Sequence, residues 1–120
     1  MCREVFVALS SNQVSVLSNF YKELFELVPS VEASGYAEFQ TKGLKIAIFA
    51  PKAENATEFL APSSGAMSLC LEVSDLEATI SRLAALGYPA PGDIMNTSHG
   101  REIYAYDPDG NRLILHQSSD

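Results

Sequence analysis

Histidine is scarce in this chain of 120 residues: His99 and His116 are the two copies. Cysteine is equally scarce, with Cys2 and Cys70. Two cysteines do not build a disulfide framework, and without a CxxC pair they do not read as a zinc or redox motif. Cys70 lies inside an apolar run and reads as a reduced core or pocket-wall thiol. Basic residues are few, 8 against 15 acidic ones, for a formal charge of 8 − 15 = −7. The Lys and Arg residues are scattered, so the clustered phosphate contacts of a nucleic-acid binder are excluded. An anionic membrane surface is disfavoured for the same reason. No apolar run approaches the roughly 20 residues of a membrane span. Val5–Leu9 is too short for a signal-peptide core, and the charges before it, Arg3 and Glu4, are mixed. A reducing cytoplasm is the expected location.

Apolar residues make up 47% and charged residues 19%, as in ordinary globular proteins. The length predicts one domain, residues 1–120, with a real hydrophobic core. Val5–Leu9 reads as a strand. Val14, Leu17, Phe20, Tyr21 and Leu24 recur at helical spacing, with Ser11 or Asn12 as the cap. Tyr36–Gln40 and Leu44–Ala50 are strands about a Lys42-Gly43 turn, and Pro51 stops the second. Residues 52–66 read as a connector with room for a short helix.

The pattern then restarts. Met67–Val73 is a strand, and Ser74 or Asp75 caps a helix striped by Leu76, Ile80, Leu83 and Leu86. Gly87 is placed as that helix's C′ residue. Ile94-Met95 reads as a short strand and Glu102–Tyr106 as a longer one. Asp107-Pro108-Asp109-Gly110 is a tight turn, because proline presets φ and glycine accepts positive φ. In the strand Arg112–His116, Leu113 and Leu115 share one face, and Arg112, Ile114 and His116 the other. The halves align residue on residue. TKGLKIAIF (41–49) lies over PDGNRLILH (108–116), and FVALSSNQV (6–14) over SLCLEVSDL (68–76). The repeat defines module one at about 4–51 and module two at about 67–117, joined by the 52–66 connector.

The repeat, the Asp107-Pro108-Asp109-Gly110-Asn111 motif, Phe20–Leu24 in the first helix and Leu71–Glu77 entering the second carry a resemblance. The chain resembles the vicinal oxygen chelate superfamily of glyoxalase I, bleomycin-resistance proteins and extradiol dioxygenases, over residues 5–117. The resemblance implies an α+β fold of two βαβββ modules, whose mixed sheet curls around a cavity with helices outside. In metal-dependent members, four ligands on the first and last strands of each module point into that cavity. Carried onto this sequence, those positions are Phe6, Ala47, Ser68 and Ile114. A divalent metal needs imidazole or carboxylate there, and phenylalanine, alanine and isoleucine supply neither. A one-residue shift brings in Ile48 or Leu115, which is no better, and turns the apolar stripe outward. No metal and no cofactor are therefore expected.

Residues in phase with those positions are mixed: Phe6, Ala8, Ser10; Lys45, Ala47, Phe49; Ser68, Cys70, Glu72; Arg112, Ile114, His116. The out-of-phase set, including Val5, Val7, Ile46, Leu69 and Leu113, is aliphatic, as expected under the helices. The expected ligand-binding cavity comprises Phe6, Ala47, Phe49, Ser68, Cys70, Arg112, Ile114 and His116. The same mixture also describes the half-solvated side of an antiparallel sheet. His116 is a candidate general base, the one chemical group on that face with an ordinary pKa near neutrality. His99 reads as a loop residue. Glu72, Glu102, Arg101 and Arg112 are candidates for orienting an acidic or polar ligand, or simply solvated charges. Tyr104 and Tyr106 share a face, lining the groove or a dimer seam. The expected function is metal-independent binding of a small, partly aromatic or amphipathic molecule by a homodimer. The alternatives are an enzyme of the same superfamily, or a structural module with a closed cavity.

Overall fold

Each half of the chain folds into a strand, a helix and three further strands. The computed structural model describes residues 2–60 and 65–119. Positions 61–64 of the expected connector lie outside the described residues. The chain divides into two compact units, Met1–Ala61 and Pro62–Asp120. The first contains β1 (Val7–Ser10), α1 (Val14–Phe25), β2 (Val31–Ala33), β3 (Tyr36–Gln40) and β4 (Lys45–Phe49). A 3-10 helix, Ala53–Phe59, follows. The second contains β5 (Leu69–Glu72), α2 (Leu76–Ala85), β6 (Met95–Thr97), β7 (Gly100–Tyr106) and β8 (Arg112–Ser118). The two sheets have equivalent orders, β1-β4-β3-β2 and β5-β8-β7-β6, and neither closes into a barrel among the described residues. This is an α+β architecture of two βαβββ modules.

The register follows the repeat read from the sequence. In the parallel pair β1–β4, Val7 faces Ile46; in β5–β8, Leu69 faces Leu113. The sequence alignment puts Val7 on Leu69 and Ile46 on Leu113, so one offset per strand describes both ladders. Period-two alternation decides burial over Arg112–His116 of β8, whereas in β4 Ala47 is buried along with its neighbours. Ile46, Ile48, Leu113 and Leu115 are buried, and so is the helical stripe Leu17, Phe20, Tyr21, Leu24. Burying each such side chain stabilises by roughly 1.5–3 kcal/mol. The α1 stripe docks through rings: Tyr21 lies 5.2 Å from Phe25, and Phe25 lies 6.1 Å from Phe39 of β3. Leu76 and Leu83 of α2 are fully buried in the second unit.

The helix ends follow local chemistry. Asp75 caps α2, its Oδ1 accepting from the Ala78 N–H at 3.0 Å. The α2 C-terminus is a Schellman motif: Gly87 takes φ +96° and donates to the Ala84 carbonyl, while Tyr88 donates to Leu83. The α1 C-terminus closes the same way around Glu26, a non-glycine at φ 51°. At the α1 N-terminus the expectation fails, because Gln13 is the cap residue and has no side-chain cap bond. Ser11 is instead buried, its N–H bonded to the Phe49 carbonyl and its Oγ accepting from the Gln13 N–H. Tertiary pairing with β4 has taken the serine that the sequence offers as a cap.

The first strand also differs from its expected span. It begins at Val7, where the ladder with β4 begins, so Val5 projects past the end of β4 and is 80% exposed. The out-of-phase set is therefore not wholly packed under the helices. Cys70 is exposed, and it is not a core thiol as one reading of its apolar run allowed.

Candidate functional site

The Asp107–Asn111 turn sets the phase of β8. Asp107 is buried, and its Oδ1 accepts from the N–H groups of Asp109 and Asn111, both at 2.9 Å. Its Oδ2 accepts from Asn111 Nδ2 at 2.8 Å. Gly110 takes φ +85° and donates to the Asp107 carbonyl. The equivalent Gly43 in module one has no positive φ, so the two turns share register but not conformation. With β8 fixed, Leu113 and Leu115 point into the core, while Arg112, Ile114 and His116 occupy the opposite, half-buried face.

That second face carries three ranks of side chains across the strands. Arg112 is opposite Tyr106. Cys70, Ile114 and Tyr104 form the middle rank. Glu72, His116, Glu102 and Met95 form the third. Tyr104 and Met95 are 43% and 38% exposed, so the middle and third ranks present apolar surface. The Arg112 Nη1 donates to the Gly65 carbonyl at 2.6 Å and to Ser68 Oγ at 3.3 Å. No carboxylate pairs with Arg112 among the described residues.

His116 is held at one ring nitrogen. Its Nδ1 lies 2.7 Å from Glu72 Oε1, and Glu72 Oε2 accepts from the Ser118 N–H at 2.7 Å. The hydrogen bond from His116, followed by those from Ser118, holds the Glu72 carboxyl below its usual pKa. An ionised carboxylate only accepts, so Nδ1–H of His116 is the donor of this bond. This carboxylate–imidazole pair suits general acid–base work or hydrogen-bonding of a polar ligand group.

Module one presents an equivalent face with different chemistry. Ala8, Ala47, Glu38 and Val31 form one rank, and Ser10, Phe49, Tyr36 and Ala33 the next. Ala47 is only 3% exposed. Phe49 packs edge-on against Phe59 of the 3-10 helix at 5.3 Å. Tyr36 donates to Glu38 Oε1 at 2.7 Å, and this bond raises the phenol pKa. Lys45 pairs with Glu4 at 3.3 Å and sits 4.2 Å over the Phe6 ring. Phe6 precedes β1 and is 44% exposed.

The four positions that the resemblance implies for metal ligands hold Phe6, Ala47, Ser68 and Ile114, of which phenylalanine, alanine and isoleucine offer no ligand atom. No group of three or more His, Cys, Asp or Glu residues could hold a metal ion among the described residues. Clefts lined by described residues lie outside the ranks of Ile114 and Ala47. One, of about 370 Å³ between the α1 N-terminus and the β2–β3 hairpin, includes Ser18, whose buried Oγ has no hydrogen-bond partner among the described residues. Another, of about 400 Å³, is bordered by Asn96, Thr97, Arg101 and Gln117.

Arg101 and Gln117 are positioning residues that the sequence reading treated differently or missed. Arg101 forms a two-pronged pair with Glu77, one arm at 2.8 Å, and its Nη2 reaches Gln117 Oε1 at 3.2 Å. Gln117 Oε1 also accepts from the Leu76 N–H at 2.8 Å. These bonds fasten the α2 N-terminus to β7 and β8, on the side of the sheet away from His116. Gly100 is missed too: at φ +153°, an added Cβ would sit 2.1 Å from the Gln117 carbonyl oxygen. His99 lies outside the strands, as expected, its carbonyl accepting from Ser119 N–H.

Two βαβββ modules, each built on one four-stranded mixed sheet, define the fold class. The sequence model of the Glyoxalase/Bleomycin resistance protein/Dioxygenase superfamily matches residues 5–115, and the chain belongs to that superfamily. Its fold is similar to a glyoxalase-related enzyme from Fulvimarina pelagi, at 23% identity and TM-score 0.77, covering 98% of this chain and 89% of that one. It is similar to a bleomycin resistance determinant encoded on the transposon Tn5, at 20% identity and TM-score 0.69, covering 99% and 100%. It is also similar to the fosfomycin resistance protein FosX from Mesorhizobium loti, at 18% identity and TM-score 0.74, covering 99% and 94%. No curated protein matches the chain. At these identities the likeness is one of fold.

Proposed function

We propose that this protein binds a small, partly aromatic or amphipathic organic molecule without a metal. The observation that carries this reading is the chemistry of the superfamily's ligand positions. Phe6, Ala47, Ser68 and Ile114 replace imidazole and carboxylate, while the face around Ile114 keeps aromatic, polar and charged groups. Fold alone does not select a function, so the argument rests on these side chains. A thermal-shift screen of aromatic and amphipathic compounds, with and without EDTA, tests it. Stabilisation that is indifferent to EDTA is expected. Stoichiometric, tightly held metal in the purified protein overturns the ligand mapping.

A second reading is metal-free acid–base catalysis, favoured by the 2.7 Å bond between His116 and Glu72. Its base is His116 Nε2, with Glu72 fixing the tautomer. Turnover of a superfamily substrate such as the methylglyoxal–glutathione adduct, abolished in His116→Gln, supports it. Turnover unchanged by that substitution removes it.

The exposed apolar side chains Met67, Met95 and Tyr104 of the second unit favour a homodimer that covers them. Sedimentation velocity is expected to give about twice the 13.0 kDa chain mass. The two free cysteines fit a reducing cytoplasm. No helix among the described residues is long and apolar enough to cross a membrane.

A further inference from the structure

We infer that the ligand of the second module carries a carboxylate or similar oxyanion, and that Arg112 is its anchor. This rests on the reading that the module's sheet face binds a small molecule. The chain has 15 acidic residues and 8 basic ones, so a carboxylate partner for any given arginine is plentiful. Arg101 has taken one, Glu77, and Lys45 has taken Glu4. Arg112 has none among the described residues, although it is half-buried. Its recorded partners are neutral, the Gly65 carbonyl and Ser68 Oγ, and both are reached by Nη1. Those bonds aim the guanidinium while leaving Nη2 and Nε as donors, the fork that matches a carboxylate or phosphonate. A half-buried cation with no counter-ion is stabilised by an arriving anion more than a solvated one is, because screening there is weaker.

The rest of the face sets the ligand's shape. Arg112 and His116 are four residues apart on β8, about 13 Å along the strand. Between them lie Cys70, Ile114 and Tyr104, an apolar and aromatic rank. Beyond it, Glu72 and Glu102 flank His116. A second anionic group is repelled there, whereas a hydroxyl or amine finds acceptors. The ligand class is thus a flat or elongated apolar body of roughly 10 Å, set by that strand spacing, with an oxyanion at one end and a hydrogen-bond donor at the other.

The test uses the full chain and two fluorescent probes that differ in charge, 6-hydroxy-2-naphthoate and 6-hydroxy-2-naphthamide. The carboxylate is expected to bind at least about tenfold more tightly, a difference of about 1.4 kcal/mol. Arg112→Met is expected to reduce that preference to within about twofold, while Arg112→Lys keeps part of it. His116→Gln is expected to weaken both probes alike and leave the preference intact. In the unaltered protein, the Arg112 Nε–H resonance is expected to shift with the carboxylate and not with the amide, which tests the anchor even if a variant fails to fold. Equal affinities for the two probes, or a preference unchanged in Arg112→Met, overturn the anchor and leave small-molecule binding standing. Binding of neither probe overturns the anchor and the binding reading together.

Discussion

His116 illustrates how much of a residue's chemistry depends on partners far away in sequence. Its place on the face of β8 opposite the core follows from period-two alternation after a recognisable turn, and was legible. Its bond to Glu72, 44 residues away, was not, because it depends on the parallel β5–β8 pairing. Glu77 shows the same dependence more strongly. The Arg101 guanidinium lowers its pKa from 4.5 to about 2. Since the folded value lies below the unfolded one, the pair stabilises the fold above about pH 4.5, and that contribution disappears as pH falls towards 2. Melting curves between pH 7 and pH 2 check this: Glu77→Gln is expected to melt lower than the unaltered protein at neutral pH and to converge with it near pH 2. Both side chains are substantially solvated, so the neutral-pH difference is expected to be small. Gly100 makes a sharper case. With its φ of +153° and the Gln117 carbonyl in the way, Gly100→Ala is expected to cost at least roughly 1–3 kcal/mol in urea unfolding.

At the scale of elements, local signals were read well and long-range ones were not. Asp75 as a cap and Gly87 as a C′ residue follow from chemistry within one helical turn. Asp75→Ala is expected to destabilise by about 1 kcal/mol, by loss of the Ala78 hydrogen bond. Gly87→Ala is expected to cost a similar amount, roughly 1–2 kcal/mol, because φ +96° is a conformation that alanine adopts poorly. Both are measured by chemical denaturation. The failures have a physical cause in each case. Ser11 is a good cap by type, yet its backbone completes the edge of β4 and its hydroxyl turns to Gln13 instead. Val5 belongs to a β-rich run, yet β4 is too short to pair with it. Gln117 looks like an ordinary polar strand residue, and its bond to the Leu76 N–H exists only because α2 begins beside β8.

At the scale of the whole chain, the internal repeat was the most informative feature of the sequence. Its two copies pair in the same register, Val7 with Ile46 and Leu69 with Leu113, because a parallel strand pair with one buried face tolerates no one-residue slip. The same repeat aligns the positions that the superfamily resemblance implies for metal ligands, Phe6 with Ser68 and Ala47 with Ile114. What the repeat does not encode is the difference between its copies. Module one buries Ala47 and packs Phe49 edge-on against Phe59. Module two keeps Tyr104 and Cys70 exposed, with Arg112 and the His116–Glu72 pair on either side. That asymmetry leads us to place ligand recognition in the second module and to seek an anionic, amphipathic partner for it. The most direct measurement is a calorimetric titration of 6-hydroxy-2-naphthoate into the full chain, before and after exhaustive EDTA treatment. Binding with the same affinity in both states is the expected result. Binding that disappears with EDTA and returns with a divalent metal would contradict the account.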